Sequence, residues 1–280
     1  MVATGVSGGD RKAVDVTPLK IRDIYWAADD LVMIVYSFTD RAGPIAFFGN
    51  EREFVFPTGF DLRTGKLIDI AADLIEDDGD GVVRRGLARP DMMFPDGSML
   101  ITLGQITNNR LSRDLVRYNP RTRARVTVEQ GGADTAHWIL GDDGAVVARI
   151  DEAEVRGDVR LSHWELLVPE GRGWRSLIAH QTEEAPFDDW ALSTDGLSLL
   201  ATGRNGQDRN ALWKLDLKTG AVSGPLVEDP VFDVDRVLVD PNSLRGVGAG
   251  ALREGAVQTF VDPALAAVAT RLKAGFPGQV

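Results

Sequence analysis

Two turn signals recur along this chain at a nearly constant distance, and that periodicity restricts its fold more than anything else in the sequence. The first signal is a large apolar residue followed by a tight Asp/Gly turn. Trp138 leads into Asp142-Asp143-Gly144, Trp190 into Ser193-Thr194-Asp195-Gly196, Met93-Phe94 into Pro95-Asp96-Gly97, and Trp26 into Asp29-Asp30. The second is a short strand ending in an aspartate-type turn, as in Phe60-Asp61-Leu62-Arg63-Thr64-Gly65 and Leu215-Asp216-Leu217-Lys218-Thr219-Gly220. Tyr118-Asn119-Pro120-Arg121-Thr122-Arg123 is a weaker copy, and Val261-Asp262-Pro263 a degenerate last one. Gly97 and Gly144 are 47 positions apart, Gly144 and Gly196 are 52 apart, and Asn119 and Asp216 span two such steps. Asp-Gly and Thr-Gly supply the positive φ of a tight hairpin turn. A period in the forties, with short β-branched runs between turns, is the pattern of four-stranded β-propeller blades.

The reading is therefore an all-β propeller of about five four-stranded antiparallel blades. The units fall at about 19–72, 88–130, 134–181, 186–228 and 231–262, the first with a long loop around 41–52. Residues 1–18 form an N-terminal segment with one stray strand at 11–17. Residues 263–280 hold a short amphipathic helix and tail, in which Pro263 starts the helix, Leu265, Val268 and Leu272 share a face, and Gly275 ends it. Unit five shows only three strands, so Lys12–Val16 could close a ring as its fourth. The reading nonetheless favours an incomplete, open propeller with a bare apolar blade face through which the chain self-associates.

Charge narrows the partners. A formal net charge of -11 opposes a phosphate backbone, so nucleic acid is not expected. No run approaches a membrane span, and the first residues lack a signal peptide's apolar core, so neither membrane nor export is expected of the chain as written. With no cysteine there is no disulfide and no thiolate metal site.

The segments IYWAADDLVMIV, FDLRTGKL, RYNPRTRAR, HWILGDDGAVVARID, LWKLDLKTG with GPLVEDPVFDVD, and FVDPALAAVATRLKAGFPG, in this order, resemble the non-catalytic propeller of bacterial prolyl oligopeptidase-family serine peptidases. The closing run of Asp-Pro, short helix and Phe-Pro-Gly is the most specific part. The resemblance implies a propeller that filters peptide substrates for an active site elsewhere. Its implied partners are further C-terminal blades and an α/β-hydrolase domain carrying serine, aspartate and histidine. No such α/β pattern occurs in this sequence, so no catalytic residue carries over.

Local motifs are weaker. Gly5-Val6-Ser7-Gly8-Gly9 fits G-x-S-x-G, but a nucleophile elbow needs a strand before it and a helix after it. Glu76 to Gly81 resembles the start of a calcium loop, but the twelfth position is Leu87 rather than glutamate. His137, His163 and His180 fall on separate strands of unit three without metal-ligand spacing. Arg121, Arg123 and Arg125 alternate and so would share one face as a small anion contact, or more simply as a solvated strand. Trp26, Trp138 and Trp190 recur at equivalent places, which fits packing between blades better than sugar stacking.

One cluster stands as the candidate binding site. Asp188, Asp189, Asp233 and Asp235 precede the inner strands of units four and five, where loops line the mouth of a propeller channel. They could take a cationic substrate, a metal or acid–base work, or be turn and cap residues. No catalytic residue, metal ligand or cofactor is assigned. The function expected is a substrate-gating propeller. A free-standing interaction scaffold is the alternative, and a propeller enzyme using the acidic cluster comes third.

Overall fold

The computed structural model describes residues 2–4, 11–16, 20–41, 51–70, 90–107, 110–155, 161–240 and 243–276. The Ser7 motif and the acidic run from Glu76 lie outside them. The chain folds as two compact units, Met1–Ala133 and Asp134–Val280.

The first unit opens with a two-stranded sheet, β1 (Val2–Thr4) against β2 (Arg11–Ala13). Of the segment 11–17 read as one stray strand, Arg11–Ala13 is strand, and its partner is Val2–Thr4. Val14 and Val16, just beyond it, pack onto Val32, Ile34 and Phe60. Blade one is β3 (Lys20–Ala28), β4 (Leu31–Arg41), β5 (Glu51–Asp61) and β6 (Lys66–Ile68), paired in that order. β4 and β5 stay in register out to Arg41 opposite Glu51, and the rest of the loop expected around 41–52 lies outside the described residues. Blade two is β7 (Met92–Met93), β8 (Met99–Thr107), β9 (Arg110–Tyr118) and β10 (Arg125–Glu129), again paired in sequence order. Leu31 and Met33 of blade one meet Met99, Ile101, Leu103, Val116 and Tyr118 of blade two in one buried cluster, which is blade-on-blade packing.

In the second unit, blade three is β11 (Thr135–Leu140), β12 (Val146–Val155), β13 (Leu161–Glu170) and β14 (Gly173–Thr182). Blade four is β15 (Asp189–Leu192), β16 (Ser198–Gly203), β17 (Ala211–Asp216) and β18 (Val222–Val227). Blade five is β19 (Val234–Val239), β20 (Gly246–Leu252) and β21 (Ala256–Phe260), three strands among the described residues. Blade four is covered on both faces, and its second strand shows why a continuous apolar run can be a strand. Every residue of Ser198–Gly203 is buried. Leu199 and Ala201 point into the cluster shared with Trp164, Leu166 and Ile150 of blade three. Leu200 points into the one shared with Val234, Val237 and Ala249 of blade five.

The turns follow the sequence signals. Gly97, Gly144 and Gly196 all have positive φ, and their N–H groups bond back to Phe94, Gly141 and Ser193. At the second signal, the Asp61, Asn119 and Asp216 side chains each accept the N–H two residues on. The chain then crosses the left-handed region at Gly65, Arg123 and Gly220.

After β21 the chain leaves the sheet. Val261 and Asp262 both donate their N–H to the Val247 carbonyl, and Asp262 then caps α1 (Pro263–Gly275) by accepting the Leu265 N–H at 2.9 Å. The helix is where the sequence puts it, but none of its residues is buried, and Val268 and Leu272 are exposed. No described helix is long and apolar enough to cross a membrane.

Candidate functional site

The four aspartates sit where blades four and five meet. Asp189 opens β15, and its Oδ2 accepts the Val237 N–H of β19 at 2.7 Å, tying one blade's first strand to the next blade's. Its Oδ1 accepts the neighbouring Trp190 N–H at 3.0 Å. Asp188 and Asp233 are joined through Asn210 rather than to each other. Asn210 Nδ2 donates to Asp188 Oδ2 at 3.1 Å, and the Asn210 N–H donates to Asp233 Oδ1 at 2.8 Å. The Asn210 carbonyl in turn accepts the Val234 N–H. Asp235 stands apart, paired with the adjacent Arg236 at 3.2 Å. The structure thus brings Asp188 and Asp233 onto one asparagine, commits Asp189 to the backbone of β19, and leaves Asp235 beside its own neighbour. Among the described residues no three His, Asp or Glu side chains gather as metal ligands do.

Asn210 also lines a cavity of about 260 Å³, walled by Gln207, Asp208 and Arg209 of the β16–β17 loop and by Glu228 and Asp229 of the β18–β19 loop. None of these five stands out in the sequence as a site residue. Both loops are pinned from within. Asn205 and Gly206 have positive φ, and the Gln207 N–H closes back on the Arg204 carbonyl. Asp229 is buried, accepts the Val231 and Phe232 N–H groups at 2.9 and 3.0 Å, and pairs with the Arg253 guanidinium. Those backbone bonds, then Arg253, hold its carboxyl below the usual carboxylate range. The signals that could have found the cavity are the Asn205-Gly206 turn and the Asp229-Pro230 step, each of which fixes a loop rather than announcing a ligand.

The other sequence candidates resolve individually. Arg121, Arg123 and Arg125 do not share a face, because Arg123 sits in the left-handed region of a turn and breaks the alternation. Arg121 is not a solvated side chain but 15% exposed, paired with Asp30 and lying 3.5 Å from Asp61 Oδ2. The bare Gly97 makes room for it, since a Cβ there would lie 2.8 Å from Arg121 Nη1. Trp138 is buried against Trp174, and Trp190 stacks edge-on with His137 at 4.7 Å, but Trp26 is exposed. His163 and His180 lie on β13 and β14, one near Glu165 and one near Trp164.

No family model and no curated protein matches the chain. Several solved structures are similar. TolB from Acinetobacter baumannii is 18% identical with a TM-score of 0.38, over 89% of this chain and 55% of TolB. The acylaminoacyl peptidase of Pyrococcus horikoshii is 10% identical with a TM-score of 0.44, over 86% of this chain and 46% of the peptidase. The β-propeller domain of the trilobed protease from Pyrococcus furiosus, described as an open velcro topology, is 12% identical with a TM-score of 0.42, over 88% of this chain and 83% of that domain. This chain thus spans about half the length of the first two. With five consecutive antiparallel blades, packed face to face within each unit, it is a β-propeller protein with one short C-terminal helix.

Proposed function

We propose that this chain is the substrate-gating propeller of a prolyl oligopeptidase-like serine peptidase, with an α/β-hydrolase domain and further blades as its partners. The observation that carries the reading is how the blades end. After a fifth blade of three strands among the described residues, the chain runs into an Asp262-capped helix and Phe276, the closing segment in which the sequence most resembles that family. The gating role rests on that resemblance rather than on the fold, since one fold hosts many functions. The test uses the protein that carries the hydrolase domain, intact and with residues 1–276 deleted. Each form is offered an oligopeptide and a folded protein bearing the same cleavable sequence. Gating predicts that the intact enzyme cleaves the peptide alone, whereas the truncated one cleaves both. Equal cleavage of both by the intact enzyme overturns the proposal.

A further inference from the structure

The geometry points to a binding site for a free basic amino acid, arginine or lysine, in the cavity between the β16–β17 and β18–β19 loops. The inference does not rest on the peptidase reading. Its basis is a difference between the groups that hold the cavity and the groups that line it unused.

The walls are held by internal bonds. Asn210 is fixed on three sides, by Asp188, Asp233 and the Val234 N–H. Asp229 is saturated by two backbone N–H groups and Arg253. Such a cavity keeps its shape without a ligand, which is the usual condition of small-molecule sites. Three charged side chains on the same lining, Asp208, Arg209 and Glu228, have no side-chain partner among the described residues. Nearby charges behave differently: Arg204 pairs with Glu184 at 3.0 Å, and Lys214 with Asp195 at 3.1 Å.

The unused groups define the ligand. Two carboxylates and one guanidinium complement a molecule with two cationic groups and one carboxylate. A basic amino acid has that composition, with α-ammonium, side-chain cation and α-carboxylate. Arg209 offers the planar fork that grips a carboxylate through two parallel hydrogen bonds. Asp208 and Glu228 accept from the two cationic ends, and the carboxamide of Gln207 supplies a further donor and acceptor. The volume of about 260 Å³ lies just below the usual range of pockets for drug-sized ligands, which begins at about 300 Å³, and so suits a single amino acid.

Titration calorimetry on the whole chain tests this with L-arginine, L-lysine, L-glutamate, L-leucine, N-acetyl-arginine and argininamide. Arginine and lysine are expected to bind, and glutamate and leucine to give no heat. Removing either the α-ammonium or the carboxylate is expected to weaken binding about tenfold or more, as loss of a charge-assisted hydrogen bond does. Asp208→Asn, Glu228→Gln and Arg209→Gln should each weaken arginine to a similar degree. None of these side chains has a side-chain partner among the described residues, so the melting temperatures of the variants should match the parent's, which separates lost binding from lost folding. No heat with arginine or lysine, equal binding of arginine and argininamide, or variants that bind as the parent does would each overturn the proposal.

Discussion

Arg245 and Asp142 are 103 positions apart in sequence, yet Nη2 of the arginine lies 2.6 Å from Oδ1 of the aspartate. The contact runs from the β19–β20 turn of blade five to the β11–β12 turn of blade three, while a bridge between Ser193 and Gly246 sets the blade-four turn beside β20. Three inner turns of the second unit therefore converge at one end. Arg245 is 12% exposed and Asp142 is 75% exposed, so the pair is half in water. Asp142→Ala leaves a mostly buried cation without its partner. It should lower stability by about 1–2 kcal/mol, between the values of exposed and buried pairs. Urea unfolding reads this as a shifted midpoint at constant slope, and an unshifted midpoint contradicts it.

Asp189 ties the first strand of blade four to the first strand of blade five. Its bond to the Val237 N–H is the only link the described residues give that donor across the blade junction. Asp189→Ala should cost about 1–3 kcal/mol, the penalty of an unsatisfied buried N–H. Asp189→Asn keeps an acceptor oxygen and should recover most of it. An alanine variant as stable as the parent would mean that the carboxylate is held there for something other than the fold.

The repeat was legible because positive φ at Gly97, Gly144, Gly196 and Gly220 demands glycine at fixed places in each blade. The acidic cluster was legible only as composition. Asp188, Asp189, Asp233 and Asp235 look equivalent in sequence, yet one bonds to a backbone N–H of the next blade, two to a shared asparagine and one to its neighbour. Those partners are set by which loops meet across a blade junction, a long-range relation that local pattern does not carry. Arg121 was misread for the same reason. Its partner Asp30 is 91 positions away. The helix Pro263–Gly275 was legible from its caps, but apolar spacing alone did not reveal that its apolar face is not buried.

Close backbone approach makes two glycines irreplaceable although neither has positive φ. A Cβ at Gly203 would lie 2.0 Å from the Pro186 carbonyl oxygen, and one at Gly248 would lie 2.2 Å from that of Thr259. Both obstacles are backbone, so neither can rotate aside. Gly203→Ala and Gly248→Ala should each destabilise by about 3 kcal/mol or more, beyond ordinary overpacking. Gly171→Ala, where nothing lies within 4 Å but φ is +62°, should cost far less, about 1 kcal/mol. Thermal unfolding of the three variants should rank them in that order, and a Gly203→Ala protein melting with the parent would refute the crowding.

The gating reading also predicts that this chain alone carries no activated serine. A fluorophosphonate probe reacts with a hydroxyl only when a base and an oxyanion hole activate it. Incubation followed by intact-mass measurement should show no adduct. Stoichiometric labelling, at Ser7 or anywhere else, would sink the gating assignment and favour a propeller with chemistry of its own.

The last prediction concerns acid. Asp195, in the β15–β16 turn, accepts from Ser193 Oγ and the Leu197 N–H and pairs with Lys214. The Ser193 hydroxyl bond first, then the Leu197 N–H, lower its carboxyl from 3.8 to about 2. A carboxylate whose folded pKa lies below its unfolded value stabilises the fold fully above the unfolded pKa. That contribution fades as pH falls toward the folded one. The window is therefore about pH 4 down to about pH 2, and the sign is loss on acidification. Asp96, Asp216 and Asp229 are lowered as well, so acid sensitivity of the parent alone would not single out Asp195. Asp195→Asn keeps an oxygen to accept the Leu197 N–H but removes the ionisation. The measurement is the difference in urea midpoint between parent and variant, followed from about pH 6 to the lowest pH at which both remain folded. The parent should be the more stable at pH 6, and the gap should begin to close only below about pH 4. A gap that stays constant through that range, or one that closes near neutral pH, would show that the turn does not depend on the Asp195 charge.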